Sequence, residues 1–251
     1  MAFSQSYTKL LPMHVAFIMD GNRRWAKKKK LPVIEGHKMG SEIIKKIVVK
    51  SLKLGIKYLT FYSFSTENWN RSKSEVLKLQ SLLEFYLDSE LDNFKKKKIN
   101  FSFIGDISRF SSVVRKKLIN LKKITSNFSK LFFVLALGYG SRDEIIYAVK
   151  KVKKNVKKIN ENDISKNLMT SKLPDPDLVI RTSGEKRLSN FLLWQIAYSE
   201  LYFTKTLWPD FNSSRYSLAL RNYVSRKRRF GGDWLAKFNI EDNFKLFFVF
   251  F

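Results

Sequence analysis

Short apolar runs that alternate with stretches of helical period are the feature that most limits the folds open to this chain. Residues 14–19, 58–65 and 131–137 are long enough for a buried strand and too short for a buried helix. Between them the apolar period changes. Ile43, Ile44, Ile47, Val48 and Leu52 share one face of a helix over 36–54, with Gly55 as its stop. Ser72-Lys73-Ser74-Glu75 fits a capping box, and Val76, Leu79, Leu83, Tyr86, Leu87, Leu91 and Phe94 form the stripe of the helix it opens. Ser141-Arg142-Asp143-Glu144 fits a second box, followed by Ile145, Val149, Val152, Val156 and Ile159. Residues 101–105, 178–181 and 201–204 read as further strands, 106–126, 191–198 and 212–229 as helices, and 160–176 as a connector with one short helix. Alternation of this kind predicts an α/β fold: a single domain with a mostly parallel central sheet of about six strands, flanked by helices.

At 251 residues and 44% hydrophobic, the chain can bury one large core, and no repeat or linker divides it. Forty-eight Lys and Arg against 22 Asp and Glu leave a formal charge of +26, which concentrates anionic partners: nucleic acid, an anionic membrane surface or a diphosphate. Many lysines fall in runs at 27–30, 95–98 and 150–158, where a solvated helix face explains them equally well. Zero cysteines exclude a disulfide framework and thiolate metal sites, and two histidines leave no multi-histidine zinc site. The opening MAFSQSYTKLLPM has no secretion-signal pattern and no apolar run reaches ~18 residues, so a soluble intracellular protein is expected.

The chemistry is concentrated where strands end. Asp20 closes the first run, Gly21-Asn22 turns the chain, and Arg23 and Arg24 open a helix whose N–H groups could hold a phosphate. The same residues also suit a plain strand-turn-helix corner with a solvated acid. The polar loop 66–71 follows a strand, on the side where α/β sheets bind ligands. Near Gly184, Arg181 and Arg187 with Ser189 suit a diphosphate, since guanidinium forks pair with phosphate oxygens. Asp20 and Glu200, each beside an apolar run, could share a Mg²⁺ that keeps most of its waters.

HVAFIMDGNRRWA, EGHKMG, FYSFSTENWNRSKSEV, DPDLVIRTSGEKRLSNFLLWQIAYSELYF, WPDF and RRFGG, in order from about His14 to Gly232, resemble the motifs of the cis-prenyltransferase (isoprenyl transferase) family, nearest its bacterial undecaprenyl diphosphate synthases. The resemblance implies condensation of isopentenyl diphosphate onto an allylic diphosphate, farnesyl diphosphate in the first instance. The product would be a long-chain cis-polyprenyl diphosphate, a carrier lipid for cell-wall synthesis. It casts Asp20 as the Mg²⁺-associated acid and Glu200 as the second metal carboxylate. Gly21, Asn22, Arg23, Arg24 and Trp25, with His37, would cradle the allylic diphosphate. Ser65, Thr66, Glu67, Asn68, Trp69 and Arg71 would form a mobile lid, with Asn68 the candidate for proton removal. Arg181, Arg187, Leu188 and Ser189 would hold isopentenyl diphosphate. Arg229 and Gly231 would act near the site of a partner in a homodimer.

The same resemblance turns the helix after Ser74 into the wall of an apolar tunnel that receives the growing chain. It also marks departures. Relatives usually carry Gly at Arg23, Arg at Val33, Asn at Gly138 and Gly at Ser141, and a bacterial relative has His at Lys186. The apolar tail 244–251 would be a packed end or a shallow contact with the inner face of the membrane. Two other readings stand beside the enzyme: a non-catalytic partner subunit, which typically lacks the acid found here at Asp20, and a basic nucleic-acid-binding protein, for which no recognition motif is present.

Overall fold

Six strands run parallel in the order β3-β4-β2-β1-β5-β6, every neighbouring pair in the same direction. They are β1 (His14–Ile18), β2 (Tyr58–Ser65), β3 (Ile99–Ile104), β4 (Leu131–Tyr139), β5 (Leu178–Arg181) and β6 (Glu200–Phe203). This computed structural model describes residues 10–152 and 159–226. Arg229, Gly231, the tail 244–251 and the part of the third apolar stripe at Val156 lie outside the described residues.

Because successive strand side chains point to opposite faces, β1 divides its residues between two cores. Val15 and Phe17 join Leu59, Phe61, Phe101, Phe133 and Leu135 on one face, while Ala16 and Ile18 join Val134, Ala136 and Val179 on the other. The first face carries the larger side chains. It packs against α2 (Val33–Leu54), α3 (Lys73–Ser89), α5 (Ser112–Ile124) and α8 (Ser213–Ser225), through Ile43, Ile47, Val76, Leu87, Leu118, Tyr216 and Leu220. Helix α1 (Asn22–Lys28) follows β1, α4 (Leu91–Lys97) precedes β3, and α6 (Ser141–Lys151) and α7 (Glu161–Asn167) lie between β4 and β5.

Three expected helices change. The stripe after Ser72 is two helices, broken at Glu90, and the helix expected from residue 106 begins only at Ser112, where the Ser111 hydroxyl caps it by accepting from Val114 N–H at 3.2 Å. The helix expected over 191–198 is a series of turns, with Ser189, Asn190 and Leu192 at positive φ. Its apolar residues nevertheless cover the second sheet face, with Phe191 and Leu192 essentially buried. Burial was the correct signal there and period was not.

The first capping box is half formed. Ser72 Oγ accepts from Glu75 N–H at 3.3 Å, but the Glu75 carboxylate turns to arginines. The second is replaced altogether. Glu144 is 1% exposed and accepts from Tyr139 OH, from Gln195 Nε2 at 2.9 Å and from Met169 N–H at 2.9 Å. This node joins β4, α6 and the turns that carry Ser189. Glu144→Ala leaves these buried donors without an acceptor and is expected to cost about 3–4 kcal/mol, read as a shift in urea midpoint at unchanged slope.

Candidate active site

Strand order reverses around β1, whose neighbours are β2 on one side and β5 on the other. Ligands of open α/β sheets bind at the carboxyl ends of strands on either side of such a reversal. Asp20 lies two residues beyond β1 and Arg181 is the last residue of β5, paired with Ile18. Arg181 Nη2 donates to Asp20 Oδ2 at 3.0 Å. Its Nη1 donates to Ser189 Oγ at 2.8 Å and to the Arg187 carbonyl. The Arg181 side chain is 4% exposed against 33% for Asp20, so a fixed guanidinium presents an acid that solvent and ligand can reach.

The backbone of Asp20 is held independently of its carboxylate. Its N–H donates to Thr182 Oγ1 at 3.0 Å, and its carbonyl accepts from Thr182 Oγ1 at 2.7 Å and Trp208 N–H at 3.0 Å. Gly21 follows at φ +111°, a conformation L side chains rarely adopt. Helix α2 crosses α1 at Gly36, where a Cβ would lie 2.2 Å from the Asn22 carbonyl. That close approach brings Asn22 Nδ2 within 3.4 Å of His37 Nδ1, and Asn22 Oδ1 and His37 Nε2 are both buried without a protein partner. Trp25 Nε1 donates to Asp210 Oδ1 at 2.8 Å and Trp208 Nε1 to the Gly40 carbonyl at 2.8 Å, which anchors the corner to the WPDF segment.

Burial, aided by the nearby Arg71 and Arg23, pushes His37 down to about 4, and burial does the same to His14 against its bonds to Pro174 and the charge of Asp177. Both are neutral near pH 7. An unfolded histidine takes its proton near 6.5, so it binds more protons than the folded one over pH 6.5 to 4. Stability contributed by the neutral rings is therefore complete above 6.5 and is lost as pH falls toward 4. Each histidine is expected to remove about 2 kcal/mol between pH 7 and pH 5, visible as a lower urea midpoint; equal midpoints at the two pH values would contradict it.

Thr66–Asn70, the residues expected to form a lid, make one 3-10 turn after β2. Asn68 Oδ1 accepts from Ser65 N–H at 3.0 Å, so the side chain shapes the turn. Burial raises the Glu67 carboxyl, yet bonds from Ser65, its own N–H, Asn190 and Thr66 hold it below the ordinary range, tying this turn to the turns around Ser189. Trp69 packs on Phe64 and Phe110, with the Arg109 guanidinium 4.6 Å from its ring centre. Glu75 accepts from Arg71 at 3.0 Å and lies 3.6 Å from Arg23, joining the end of this turn to α1. Arg24 reaches Ser183 Oγ and Glu185 Oε1 at 3.1 Å, and Glu185 also takes Arg187.

Beneath this charged rim a cavity of about 270 Å³ enters the larger core, bounded by Asn22, His37, Asn68 and Arg71 at the rim and by Ile44, Val48, Leu83, Phe133 and Leu135 within. A second, shallower cleft beside Ser189 is lined by Glu67, Arg142, Lys186, Arg187 and Leu188. A family model described as "Putative undecaprenyl diphosphate synthase" matches residues 18–231. The chain is 50% identical over 222 residues to an isoprenyl transferase of Aquifex pyrophilus, covering 88% of this chain and 96% of that one. It is 49% identical over 228 residues to a ditrans,polycis-undecaprenyl-diphosphate synthase ((2E,6E)-farnesyl-diphosphate specific) of Buchnera aphidicola, covering 88% and 91%. The chain belongs to the undecaprenyl diphosphate synthase family of isoprenyl transferases.

Solved structures agree with that membership. A probable undecaprenyl diphosphate synthase from Campylobacter jejuni superposes with TM-score 0.75 at 36% identity, over 88% of this chain and 99% of that one. Lavandulyl diphosphate synthase from Lavandula x intermedia, in complex with dimethylallyl diphosphate, gives 0.86 at 38% identity, over 89% and 100%. In this isoprenyl transferase the sheet brings Asp20, Arg24, Arg181, Arg187 and Ser189 into one connected network and places Asn22, His37, Asn68 and Arg71 around the cavity.

Glu200 is not among them. It begins edge strand β6 opposite Leu178, level with Val15, about five residues or ~15 Å back along the strands from Asp20, and its carboxylate takes Arg226. Val33 is the first residue of α2 and is exposed. Glu75, Glu185, Thr182, Trp208 and Asp210 escaped sequence reasoning as members of the site. Their partners are up to 185 residues away, and the sequence marked them only as members of quoted motifs, Glu75 in FYSFSTENWNRSKSEV, Thr182 and Glu185 in the segment from Asp175, and Trp208 and Asp210 in WPDF, with no role assigned.

Proposed function

We propose that this chain condenses isopentenyl diphosphate with an allylic diphosphate to build a long-chain cis-polyprenyl diphosphate, with farnesyl diphosphate as primer. The observation that carries the reading is the Asp20–Arg181 pair next to an apolar cavity, with Met19 and Asn22 on either side of Asp20 lining that cavity. Charge belongs at the rim and carbon belongs below it. Each CH₂ that passes from water into the cavity contributes ~0.8 kcal/mol, so the tail grows inward while the diphosphate stays outside.

The backbone from Gly21 to Arg24 and the Arg24 guanidinium hold the allylic diphosphate, and Arg181, Arg187 and Ser189 hold that of isopentenyl diphosphate. The allylic carbon–oxygen bond breaks, its electron pair leaving with diphosphate. The double bond of isopentenyl diphosphate attacks the allylic carbon, and a proton is lost to give the new cis double bond. Cationic side chains stabilise the charge that develops on the leaving group. Asn68 is assigned to orienting the proton-removal step, because a carboxamide is not basic near neutral pH.

Among the described residues no three His, Asp or Glu side chains gather into a ready cage for a metal ion. Asp20 alone, one-third exposed and ringed by arginines, fits a Mg²⁺ that arrives with a diphosphate and keeps its waters. Bound there, Mg²⁺ supplies Lewis-acid neutralisation of the departing diphosphate. Glu200 joins that shell only if a second copy brings it, and the homodimer is part of this proposal, as are the roles of Arg229 and Gly231. No described helix is long and apolar enough to cross a membrane. We place the protein in the cytoplasm, in peripheral contact with the membrane that takes its product.

The test is incubation with farnesyl diphosphate, isopentenyl diphosphate and Mg²⁺, with products separated by chain length. A ladder in five-carbon steps is expected. Absence of any elongation moves the chain to the non-catalytic partner reading.

A further inference from the structure

Glu185 stands between two arginines that the proposed function gives to different diphosphates. Arg24 Nη2 donates to its Oε1 at 3.1 Å and Arg187 Nη1 donates to its Oε2, so each oxygen serves one guanidinium. Arg24 belongs to α1 after β1, and Arg187 to the loop after β5. Both arginine side chains are open to solvent, 50% and 64% exposed, whereas Arg181 is buried. These two can therefore exchange one anion for another. The acid between them is presented by a tight turn. Ser183 and Gly184 both take φ +82°, and their N–H groups donate to the Thr206 and Thr204 carbonyls at 2.8 Å each. The bond from Arg187 holds the Glu185 carboxyl below its ordinary range, with the charges of Arg187, Arg24 and Arg181 acting the same way, so it is ionised near neutral pH.

We propose that Glu185 is a positioning residue that competes with diphosphate for Arg24 and Arg187 and so speeds departure of the diphosphate that each condensation leaves behind. The inference rests on the prenyl-transfer reading and assigns that site its release step. Each condensation sets one inorganic diphosphate free beside Arg24, while the lengthened product keeps the diphosphate that isopentenyl diphosphate brought to Arg187. The next condensation needs the place at Arg24. Charge-assisted bonds from several guanidiniums would hold the spent anion there and slow the cycle. A carboxylate fixed within reach of both arginines works against that in two ways. Its charge repels a diphosphate bound to either guanidinium. As the anion leaves, the same carboxylate takes up the guanidinium, so neither arginine is left unpaired beside its like-charged neighbours. The position of Glu185 between the two cradles lets one residue serve both.

The experiment measures binding of inorganic diphosphate with Mg²⁺ to the full chain by calorimetry, and inhibition of prenyl transfer by the same anion, for the parent, Glu185→Gln, Glu185→Asp and Asp92→Asn. Glu185→Gln is expected to bind diphosphate about tenfold more tightly and to be inhibited at correspondingly lower concentration, because the repelling charge is gone. Glu185→Asp keeps that charge and is expected to stay within about threefold of the parent. Asp92→Asn removes a 95% exposed acid from α4, which leads into the start of β3, whereas Glu185 follows the end of β5; its affinity is expected to match the parent's. The sign decides the matter. A bridge that merely held the arginines ready for substrate would weaken binding when broken, so equal or weaker diphosphate binding by Glu185→Gln overturns the proposal while leaving prenyl transfer intact. Equal tightening in Asp92→Asn overturns it too, since overall charge would then be the cause. A parent that gives no five-carbon ladder overturns the prenyl-transfer reading and this inference with it.

Discussion

Asp20→Asn is expected to lower prenyl transfer by about 10³-fold, the scale on which removal of a single charge-stabilising group from a reacting centre is felt. The fold should survive, because the backbone at Asp20 is fixed by Thr182 and Trp208 through main-chain atoms that the substitution leaves alone. Asparagine keeps an oxygen for Arg181 Nη2 and loses the charge a divalent cation requires. The change should therefore appear in turnover far more than in the urea midpoint. Turnover within tenfold of the parent, at saturating substrates and Mg²⁺, would remove Asp20 from the chemistry.

Arg181→Lys should raise the KM for isopentenyl diphosphate by about 10²-fold and cost stability as well. The guanidinium reaches three acceptors at once: Asp20, Ser189 Oγ and the Arg187 carbonyl. A lysine ammonium is a single point on a flexible stem and cannot reproduce that fork. With the side chain 4% exposed, the acceptors it abandons are not rescued by bulk water, so about 2–3 kcal/mol of folding stability is lost too. A KM within twofold of the parent would show that isopentenyl diphosphate is held elsewhere, with the Arg142 and Lys186 cleft the next place to look.

The apolar runs located every strand, and the Gly55 stop and Ser72 cap fell where helical period placed them, because backbone and burial preferences act within a few residues. Segment 191–198 shows the limit. Eight largely apolar residues read as a helix, yet side-chain acceptors such as Ser141 Oγ, which takes Leu193 N–H at 2.9 Å, and three positive φ values impose turns. Glu144 makes the same point. Three residues after a serine it matched a cap pattern, but three donors from elsewhere in the chain compete for its oxygens and win. Asp20 and Arg181 were each legible; their 3.0 Å pairing depended on β1 and β5 being neighbours, which no local pattern encodes.

That adjacency has a consequence for how the protein is made. β1 pairs with β2 some 44 positions on, but its other edge waits for β5, and residues 20 and 181 are 161 positions apart. During synthesis from the N-terminus, more than a hundred residues emerge while one edge of the central strand remains bare, the kind of exposed template on which chains aggregate. The closure that shields it is also the step that brings Asp20 to Arg181. On the proposed reading, a diphosphate gripped from both sides acts as a clasp on this late seam, and should protect β1 and β5 amides from hydrogen exchange more than those of β3 and β4.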